Sequence, residues 1–145
     1  MKTNKINSDN IDALEADYLY VTTSQLPGSG NGLYTAVEIY KTEIIAYYKG
    51  EILTDAQAKL RAKKGNDKYF ITLLDGRILD SMKTECFAKY ANDAVGFLKS
   101  NFKNNAKIAL DETNQVCLIA TRNIKAGEEI FCSYGKQYWK KHSAL

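Results

Sequence analysis

Hydrophobic and polar positions alternate along several short stretches of the chain, with the two-residue period that is typical of half-buried strands. The predicted strands cover residues 18–23, 33–39, 44–49, 69–74, 77–80, 115–121 and 129–134. Asp75-Gly76 lies between two of them and is a strong signal for a tight hairpin turn. A second turn is predicted at Lys125-Ala126-Gly127, just before the last strand. The pattern is that of a β-rich protein.

Helical signals are few and short. Thr54 and Gln57 have the spacing of a capping box, in which each side chain bonds the other residue's backbone amide. The helix that starts there is predicted to end at Gly65, because glycine tolerates the left-handed conformation that follows a helix. Shorter helices are predicted over residues 11–15 and 83–91. Many short strands with few helices indicate an α+β, β-rich fold.

The composition is that of an ordinary globular domain. A hydrophobic content of 45% and a charged content of 26% over 145 residues are enough for a buried core and argue against disorder. The net charge of +3 comes without an arginine-rich block, so we expect no direct nucleic-acid partner. No apolar run approaches the ~18 residues of a membrane span, and the first residues lack a signal sequence. We therefore expect an intracellular protein without a membrane partner.

Cysteine and histidine are too sparse to suggest a metal site or a catalytic triad. Cys86, Cys117 and Cys132 are odd in number and show no C-x-x-C spacing, so reduced thiols and no bound metal are expected. A mechanism that needs histidine would depend on His142 alone, close to the C-terminus. The unusual feature is the content of ten tyrosines, each of which combines an apolar ring with a polar hydroxyl.

Three separate segments carry candidate chemistry. GSGNGLY (28–34) is rich in glycine, which lets a backbone approach a ligand closely, but it lacks the lysine of a P-loop and precedes a strand. KYANDA (89–94) follows a predicted helix, and AYYKGE (46–51) stands at the end of a predicted strand. Taken alone, each segment also fits a plain turn, a helix cap or packed aromatic rings.

Taken in order, these segments resemble the SET-domain family of protein lysine methyltransferases. GNGLYTA (30–36) resembles the opening G-x-G-[LV]-[FWY] motif of the family, and YKGEIL (48–53) resembles its Tyr-x-Gly-Glu turn. KYFITLLDGRILDS (68–81) is similar to the tyrosine-bearing hairpin, and KYANDA stands where the family has Arg-Phe-Ile-Asn-His-Ser. IATRNIKAGEEIFCSYG (119–135) resembles the C-terminal motif, which is the most specific of the set.

The resemblance covers roughly residues 18–139, between an N-terminal extension (1–17) and a C-terminal tail (140–145). It implies several small β-sheets and a C-terminal strand that passes through a loop as a pseudoknot. It also implies S-adenosyl-L-methionine as the cofactor, S-adenosyl-L-homocysteine as the product, and a protein lysine that enters from the opposite face. A histone tail is one candidate substrate. Oligomeric state and compartment stay open: nucleus, cytoplasm, or a host cell for a microbial or viral source.

The resemblance also implies roles for individual residues. Tyr134 and Tyr48 would be catalytic, because a tyrosine ring tolerates the incoming cation and its hydroxyl can orient the neutral amine. The substrate channel would be lined by Tyr47, Tyr48, Cys132 and Tyr134. The cofactor would be bound by Gly30, Asn31, Gly32, Leu33, Tyr34, Tyr69, Asn92, Asp93, Tyr138 and Trp139.

The chain departs from the family's pattern at several positions. Asp93 replaces a histidine whose backbone is expected to meet the adenine of the cofactor. Cys132 stands where the family has Phe or Tyr, and the smaller side chain predicts di- or trimethylation over monomethylation. The segment from Asp93 to Asn105 is longer than usual, and the cysteine-rich segments that flank many SET domains are absent from this sequence.

Two other functions are compatible with the sequence. A SET-like module could bind a protein segment without catalysis, with cofactor binding weakened by Asp93. A β-rich nucleic-acid module could use tyrosines as stacking platforms. The mild charge argues against the nucleic-acid module, and the intact Tyr134, Asn92 and G-x-G argue against loss of catalysis.

Overall fold

The computed structural model describes residues 9–95 and 100–133. The helices within these ranges are α1 (Glu15–Tyr18), α2 (Asp55–Lys63) and a 3-10 helix (Ala88–Tyr90). The strands are β1 (Asp9–Asn10), β2 (Leu19–Thr23), β3 (Asn31–Thr35), β4 (Glu43–Tyr47), β5 (Glu51–Leu53), β6 (Phe70–Thr72), β7 (Ile78–Asp80), β8 (Ala106–Leu110), β9 (Val116–Ala120) and β10 (Glu129–Ile130).

The strands form three small sheets, with the orders β1-β4-β9-β8, β10-β3-β2 and β5-β7-β6. Neighbouring strands are antiparallel, except for β1 and β4. This parallel pair brings part of the N-terminal extension into the first sheet. The predicted β-rich α+β fold of several small sheets is confirmed.

The three sheets share one hydrophobic core. Every residue of β9 is buried, because this strand lies between β4 and β8 and is covered on both faces. Leu118 packs in the main cluster, to which the second sheet contributes Leu33 and the third contributes Leu79. Cys117 and Ile119 belong to a smaller cluster on the opposite face, as the alternation of side chains along a strand requires.

Helix α2 begins at the predicted capping box. The Oγ1 of Thr54 accepts from the amide of Gln57 at 3.2 Å, and the amide of Thr54 donates to Gln57 Oε1 at 3.0 Å. Gly65 follows the helix with a φ of 76°, as predicted. The helix has no buried residue, and the ion pair of Arg61 with the buried Asp80 attaches it to β7. Within the described part of the chain, no helix is long and apolar enough to span a bilayer.

The strand predicted over residues 33–39 has different bounds in the structure. It begins earlier, at Asn31, and ends at Thr35. The hydroxyl of Thr35 donates to the carbonyl of Val37 and accepts from the amide of the same residue. This local turn replaces the ladder hydrogen bonds that a longer strand would need. Strand β8 was not predicted at all.

The helix predicted over residues 83–91 is wrong for most of its length. Only Ala88–Tyr90 forms a 3-10 turn. The buried side chain of Lys89 donates to the carbonyl of Thr84 at 3.0 Å, so it folds back on the preceding residues instead of pointing to solvent. The helix predicted over residues 11–15 forms further along the chain, as α1.

The end of the described chain crosses between two other segments. We call residues 131–132 the crossing segment. Phe131 bridges Asn92 on one side, and Cys132 bridges Ala106 on the other, both in parallel orientation. The amide and the side-chain oxygen of Asn105 bond the backbone of Phe131 at 3.0 and 2.9 Å. The crossing segment therefore lies between the two ends of the connection that joins residues 92 and 106, the arrangement that the resemblance implied.

Candidate active site

The glycine loop, residues 24–32, connects β2 to β3 and closes on itself through a 2.8 Å hydrogen bond from the Ser24 amide to the Gly30 carbonyl. Gly30 has a φ of 66° and open space where a Cβ would lie. Gly32 lies outside the left-handed region, but a Cβ there would overlap the carboxylate of Glu129. The first glycine of the motif is therefore required by conformation, and the second by space.

Leu33 and Tyr34 lie deeper in the fold than the three residues before them. Both are buried, and each pairs with a residue of β2 on one side and of β10 on the other. The hydroxyl of Tyr34 donates to the carbonyl of Thr23 at 2.7 Å. The open end of the motif is thus formed by Gly30, Asn31 and Gly32, while Leu33 and Tyr34 support it from within the sheet.

Asn92 joins the glycine loop to the crossing segment. Its side-chain amide donates to the carbonyl of Asn31 at 2.9 Å. Its own carbonyl accepts from the amide of Cys132 at 2.9 Å. Two residues that were assigned to the cofactor and one that was assigned to the substrate channel are therefore connected by two hydrogen bonds.

Tyr48 lies on the other side of the crossing segment. Its hydroxyl is 3.9 Å from the Sγ of Cys132, and its amide donates to the carbonyl of Val116 at 3.0 Å. Cys132 is fully buried, and burial raises the pKa of its thiol to about 12. The thiol is therefore neutral at physiological pH, and it presents a small, uncharged surface beside the Tyr48 hydroxyl.

Tyr47 and Tyr48 are separated by the fold. The hydroxyl of Tyr47 donates to Asp111 Oδ2 at 2.9 Å, and its ring packs on the smaller cluster. Burial and the Asp111 carboxylate raise the pKa of Tyr47 to about 12. Both rings border a groove of about 620 Å³, but only the hydroxyl of Tyr48 faces Cys132. Among the described channel residues, the structure joins the polar atoms of Tyr48 and Cys132, whereas the Tyr47 hydroxyl bonds Asp111.

Tyr69 packs beside Lys89 of the 3-10 helix, which ends two residues before Asn92. The ammonium of the buried Lys89 lies 5.8 Å from the centre of the Tyr69 ring and 5.5 Å from that of Tyr90. Desolvation opposes the charge, but the hydrogen bond with Glu85 prevails and raises the pKa of Lys89 above its ordinary value. Tyr69 therefore contacts the turn that precedes Asn92 through a cation held between two rings.

Asp93 uses its carboxylate to shape the loop that follows it. The Oδ1 atom accepts from the amide of Val95 at 2.9 Å and from the side-chain amide of Asn104 at 3.0 Å. The side-chain oxygen of Asn104 accepts in turn from the amide of Ala94 at 2.9 Å. The residue that replaces the family's histidine thus joins the two ends of the long segment. Tyr134, Tyr138 and Trp139 lie outside the described residues.

A model of the SET domain matches residues 30–135 of the chain, from the glycine loop to just beyond the crossing segment. The chain belongs to the SET-domain family. The segments matched include every described residue of the site: Gly30, Asn31, Gly32, Leu33, Tyr34, Tyr47, Tyr48, Tyr69, Asn92, Asp93 and Cys132.

Two curated relatives of this SET domain are histone-lysine N-methyltransferases. EZH2 of Chaetomium thermophilum is 28% identical over 125 residues, which cover 79% of this chain and 8% of the relative. SUV39H1 of Xenopus laevis is 29% identical over 117 residues, which cover 76% of this chain and 28% of the relative. The chain therefore spans less than a third of the length of either relative.

Solved structures share the fold of this SET domain. A structure of ctPRC2 in an autoinhibited conformation bound to S-adenosylmethionine superposes with a TM-score of 0.66 at 27% identity, over 88% of this chain and 16% of that chain. A humanized mutant of the Chaetomium thermophilum Polycomb Repressive Complex 2 bound to the inhibitor GSK126 gives a TM-score of 0.65 at 28% identity, over 81% and 15%.

The roles of two buried polar residues of this SET domain were not predicted from the sequence. Glu129 is 2% exposed and bonds the glycine loop, although it was interpreted only as part of a C-terminal motif. Asn105 is 1% exposed, and its carboxamide accepts from the amide of Phe131 in the crossing segment and donates to the carbonyl of Glu129. For Glu129, the available signal in the sequence was its position directly before the apolar run Ile130-Phe131-Cys132.

Proposed function

We propose that this SET domain is an S-adenosylmethionine-dependent protein-lysine N-methyltransferase. The observation that carries the proposal is the position of Cys132 in the crossing segment, between Tyr48 and Asn92. Asn92 in turn contacts Asn31 of the glycine loop. A methyl transfer between two bound molecules gains most of its rate from such alignment of their sites.

The residues around Asn92 fit the methionine end of the cofactor, which carries an ammonium and a carboxylate. The Oδ1 of Asn92 accepts no hydrogen bond from the described part of the chain, so it can accept one from an ammonium. Gly30 leaves one face of the loop backbone open for close approach. We assign Gly30, Asn31, Gly32 and Asn92 to the cofactor, with Leu33 and Tyr34 as their support.

Bound S-adenosylmethionine would supply a methyl group on a sulfonium, and the lysine amine must be neutral to accept it. The reference pKa of that amine is ~10.4, so the site has to favour the uncharged form. Apolar surroundings do so by penalising the ammonium, and the buried, neutral Cys132 provides such a wall. We propose that the hydroxyls of Tyr48 and Tyr134 orient the amine, since each can donate or accept a hydrogen bond.

The substrate class we propose is a protein segment that presents a lysine. Histones are the first candidates, because both curated relatives are named as histone-lysine N-methyltransferases. We place the protein inside the cell, where such substrates occur. Tyr69, Asp93, Tyr138 and Trp139 remain proposed cofactor residues, and Tyr47 remains a proposed border of the substrate groove.

Asn92→Ala should weaken the binding of S-adenosylmethionine by roughly 10- to 100-fold, because it removes an acceptor for the ammonium and the anchor of Asn31. Isothermal titration calorimetry would give the Kd, and transfer of radiolabelled methyl groups into histones and a mixed cell extract would give the activity. The exposed Asn101→Ala is the matched control and should change neither quantity.

A wild-type protein that binds S-adenosylmethionine and labels a protein band would support the proposal, provided that Asn92→Ala weakens both the binding and the labelling. A folded wild-type protein that binds no S-adenosylmethionine would contradict it. If that protein still bound lysine-bearing peptides, the binding-module alternative would replace the enzyme.

The size of Cys132 predicts the number of methyl groups added. Because the thiol is small and fully buried beside Tyr48, we expect wild-type product to reach the dimethyl or trimethyl state. Cys132→Phe should restrict the product to monomethyl-lysine by filling that space, whereas Cys132→Ala should not. Mass spectrometry of the labelled peptide distinguishes these states. Monomethyl-lysine as the sole wild-type product would refute the expectation.

A further inference from the structure

The carboxylate of Glu129 is buried directly beneath the glycine loop. Oε2 accepts from the hydroxyl of Ser24 at 2.6 Å, and Oε1 accepts from the amide of Gln25 at 2.8 Å. The hydroxyl of Tyr34 lies 3.1 Å from Oε1 and shares its single proton between Oε1 and the carbonyl of Thr23. Oxygens that accept hydrogen bonds suit these donors from the loop and from β3. Within residues 9–95 and 100–133, no lysine or arginine forms an ion pair with Glu129.

The contact between Glu129 and the loop is tight. An added Cβ at Gly32 would overlap Oε2 of Glu129, lie 2.9 Å from its Cδ, and lie 3.2 Å from the Cα of Ser24. The carboxylate therefore lies against the backbone of the G-x-G motif itself. Glu129 bonds the beginning of the glycine loop, at Ser24 and Gln25. It also packs against the end of that loop, at Gly32.

The backbone of Glu129 belongs to the strand that leads into the crossing segment. Its carbonyl accepts from the side-chain amide of Asn105 at 3.0 Å. Strand β10 pairs with β3 through Glu129 and Tyr34, and Cys132 follows three residues later. The same residue thus connects the proposed cofactor loop to the segment that carries the proposed channel wall.

We propose that Glu129 is a positioning residue that fixes the glycine loop in the conformation that receives the cofactor. The inference rests on the proposed function, because it assigns a specific part of cofactor binding to this residue. The side chain of Glu129 is only 2% exposed, so we expect it to contact neither the lysine nor the reacting methyl. Its loss should therefore act on the affinity for S-adenosylmethionine more than on the turnover of bound substrates.

Glu129→Gln tests the inference with the smallest change in shape. The amide retains an oxygen for Gln25 and Tyr34, but it turns an N–H toward the Ser24 hydroxyl, which loses its acceptor. We expect the Kd and KM for S-adenosylmethionine to rise by ~10-fold, since hydrogen bonds to a charged group are the stronger ones. The value of kcat at saturating cofactor should stay within about twofold.

Glu128→Gln is the matched control, because the Oε1 of this neighbouring glutamate bonds the amide of Lys125 within its own turn and its Oε2 pairs with Arg122 at 3.9 Å, away from the glycine loop. It should leave the Kd for S-adenosylmethionine unchanged. Ser24→Ala removes one donor to Glu129, together with the acceptor of the Leu26 amide in the same loop, and it gives a second reading if Glu129→Gln is too unstable to purify. It should raise the Kd by about threefold.

A merely structural role would lower the melting temperature of Glu129→Gln without changing the Kd of the folded protein. An unchanged Kd in folded Glu129→Gln, or in Ser24→Ala where only that variant can be prepared, would overturn the inference and leave the proposed function intact. A wild-type protein with no measurable affinity for S-adenosylmethionine would overturn the proposed function itself. A raised Kd with a preserved kcat would support both.

Discussion

Replacing Gly50 by alanine should remove about 3 kcal/mol of folding free energy and lower the melting temperature by roughly 10 °C. A Cβ at this position would overlap the carbonyl oxygen of Asp80, lie 2.7 Å from its carbonyl carbon, and lie 3.0 Å from the amide nitrogen of Ser81. These are backbone atoms, and β7 is held in register by β5 and β6 on either side. Neither neighbour can move without breaking a ladder.

Gly28→Ala is the comparison that isolates this effect. Gly28 has a φ of 74° and no atom within 4 Å of a built Cβ, so its replacement meets only the left-handed backbone cost of about 1 kcal/mol. Urea unfolding followed by tyrosine fluorescence would measure both free energies. Equal destabilisation by the two substitutions would show that the packing of Gly50 on Asp80 has no special cost.

The glycines also show what the sequence could and could not predict. Gly65 and Gly127 were placed correctly, because a helix end and a turn before a strand are local events with known glycine preferences. Gly32 was expected to give its loop conformational freedom and room for a ligand, although its φ is not in the left-handed region, and Gly50 was assigned to a motif without a physical reason. Their reasons are contacts with Glu129 and Asp80, which are distant in sequence and become neighbours only in the folded chain.

Strands were predicted correctly where hydrophobic and polar residues alternate clearly. A strand that depends only on pairing with its neighbour was missed. The capping box and the hairpin around Asp75-Gly76 were predicted from local spacing, and the structure confirms both. Strand β8 was missed because its sequence, AKIAL, is too short and too rich in alanine to show a clear period. It exists because β9 offers a buried partner of equal length.

The site was predictable at the level of motifs but not of orientation. Asn92, Cys132 and Tyr48 were named from the resemblance, and the structure brings them together. Tyr47 was grouped with Tyr48, although consecutive residues of an extended chain point to opposite faces. That rule would have separated the two hydroxyls, but it was not applied when Tyr47 was assigned to the channel. The clamp of Asp93 on Asn104 has no such local signal, since it closes an eleven-residue segment.

The second large effect is expected at the tyrosine that faces the crossing segment. Tyr48→Phe should lower kcat for methyl transfer on the order of 100-fold, because it removes a hydroxyl that we assign to orienting the neutral lysine. The Kd for S-adenosylmethionine should not change, since the ring of Tyr48 remains packed on the main cluster. Tyr134→Phe should show the same separation of turnover from cofactor affinity.

Tyr47→Phe is the control supplied by the chain itself, because it deletes the same atom from the adjacent residue. Its hydroxyl bonds Asp111, so the expected result is a loss of about 1 kcal/mol in folding free energy and a much smaller loss of methyl transfer than in Tyr48→Phe. Single-turnover kinetics with radiolabelled cofactor, run on both variants at saturating peptide, compares them directly. Equal losses of turnover in Tyr47→Phe and Tyr48→Phe would mean that the lysine amine is not bound on the side of the chain that faces Cys132. A loss confined to Tyr48→Phe would place the transfer beside the crossing segment.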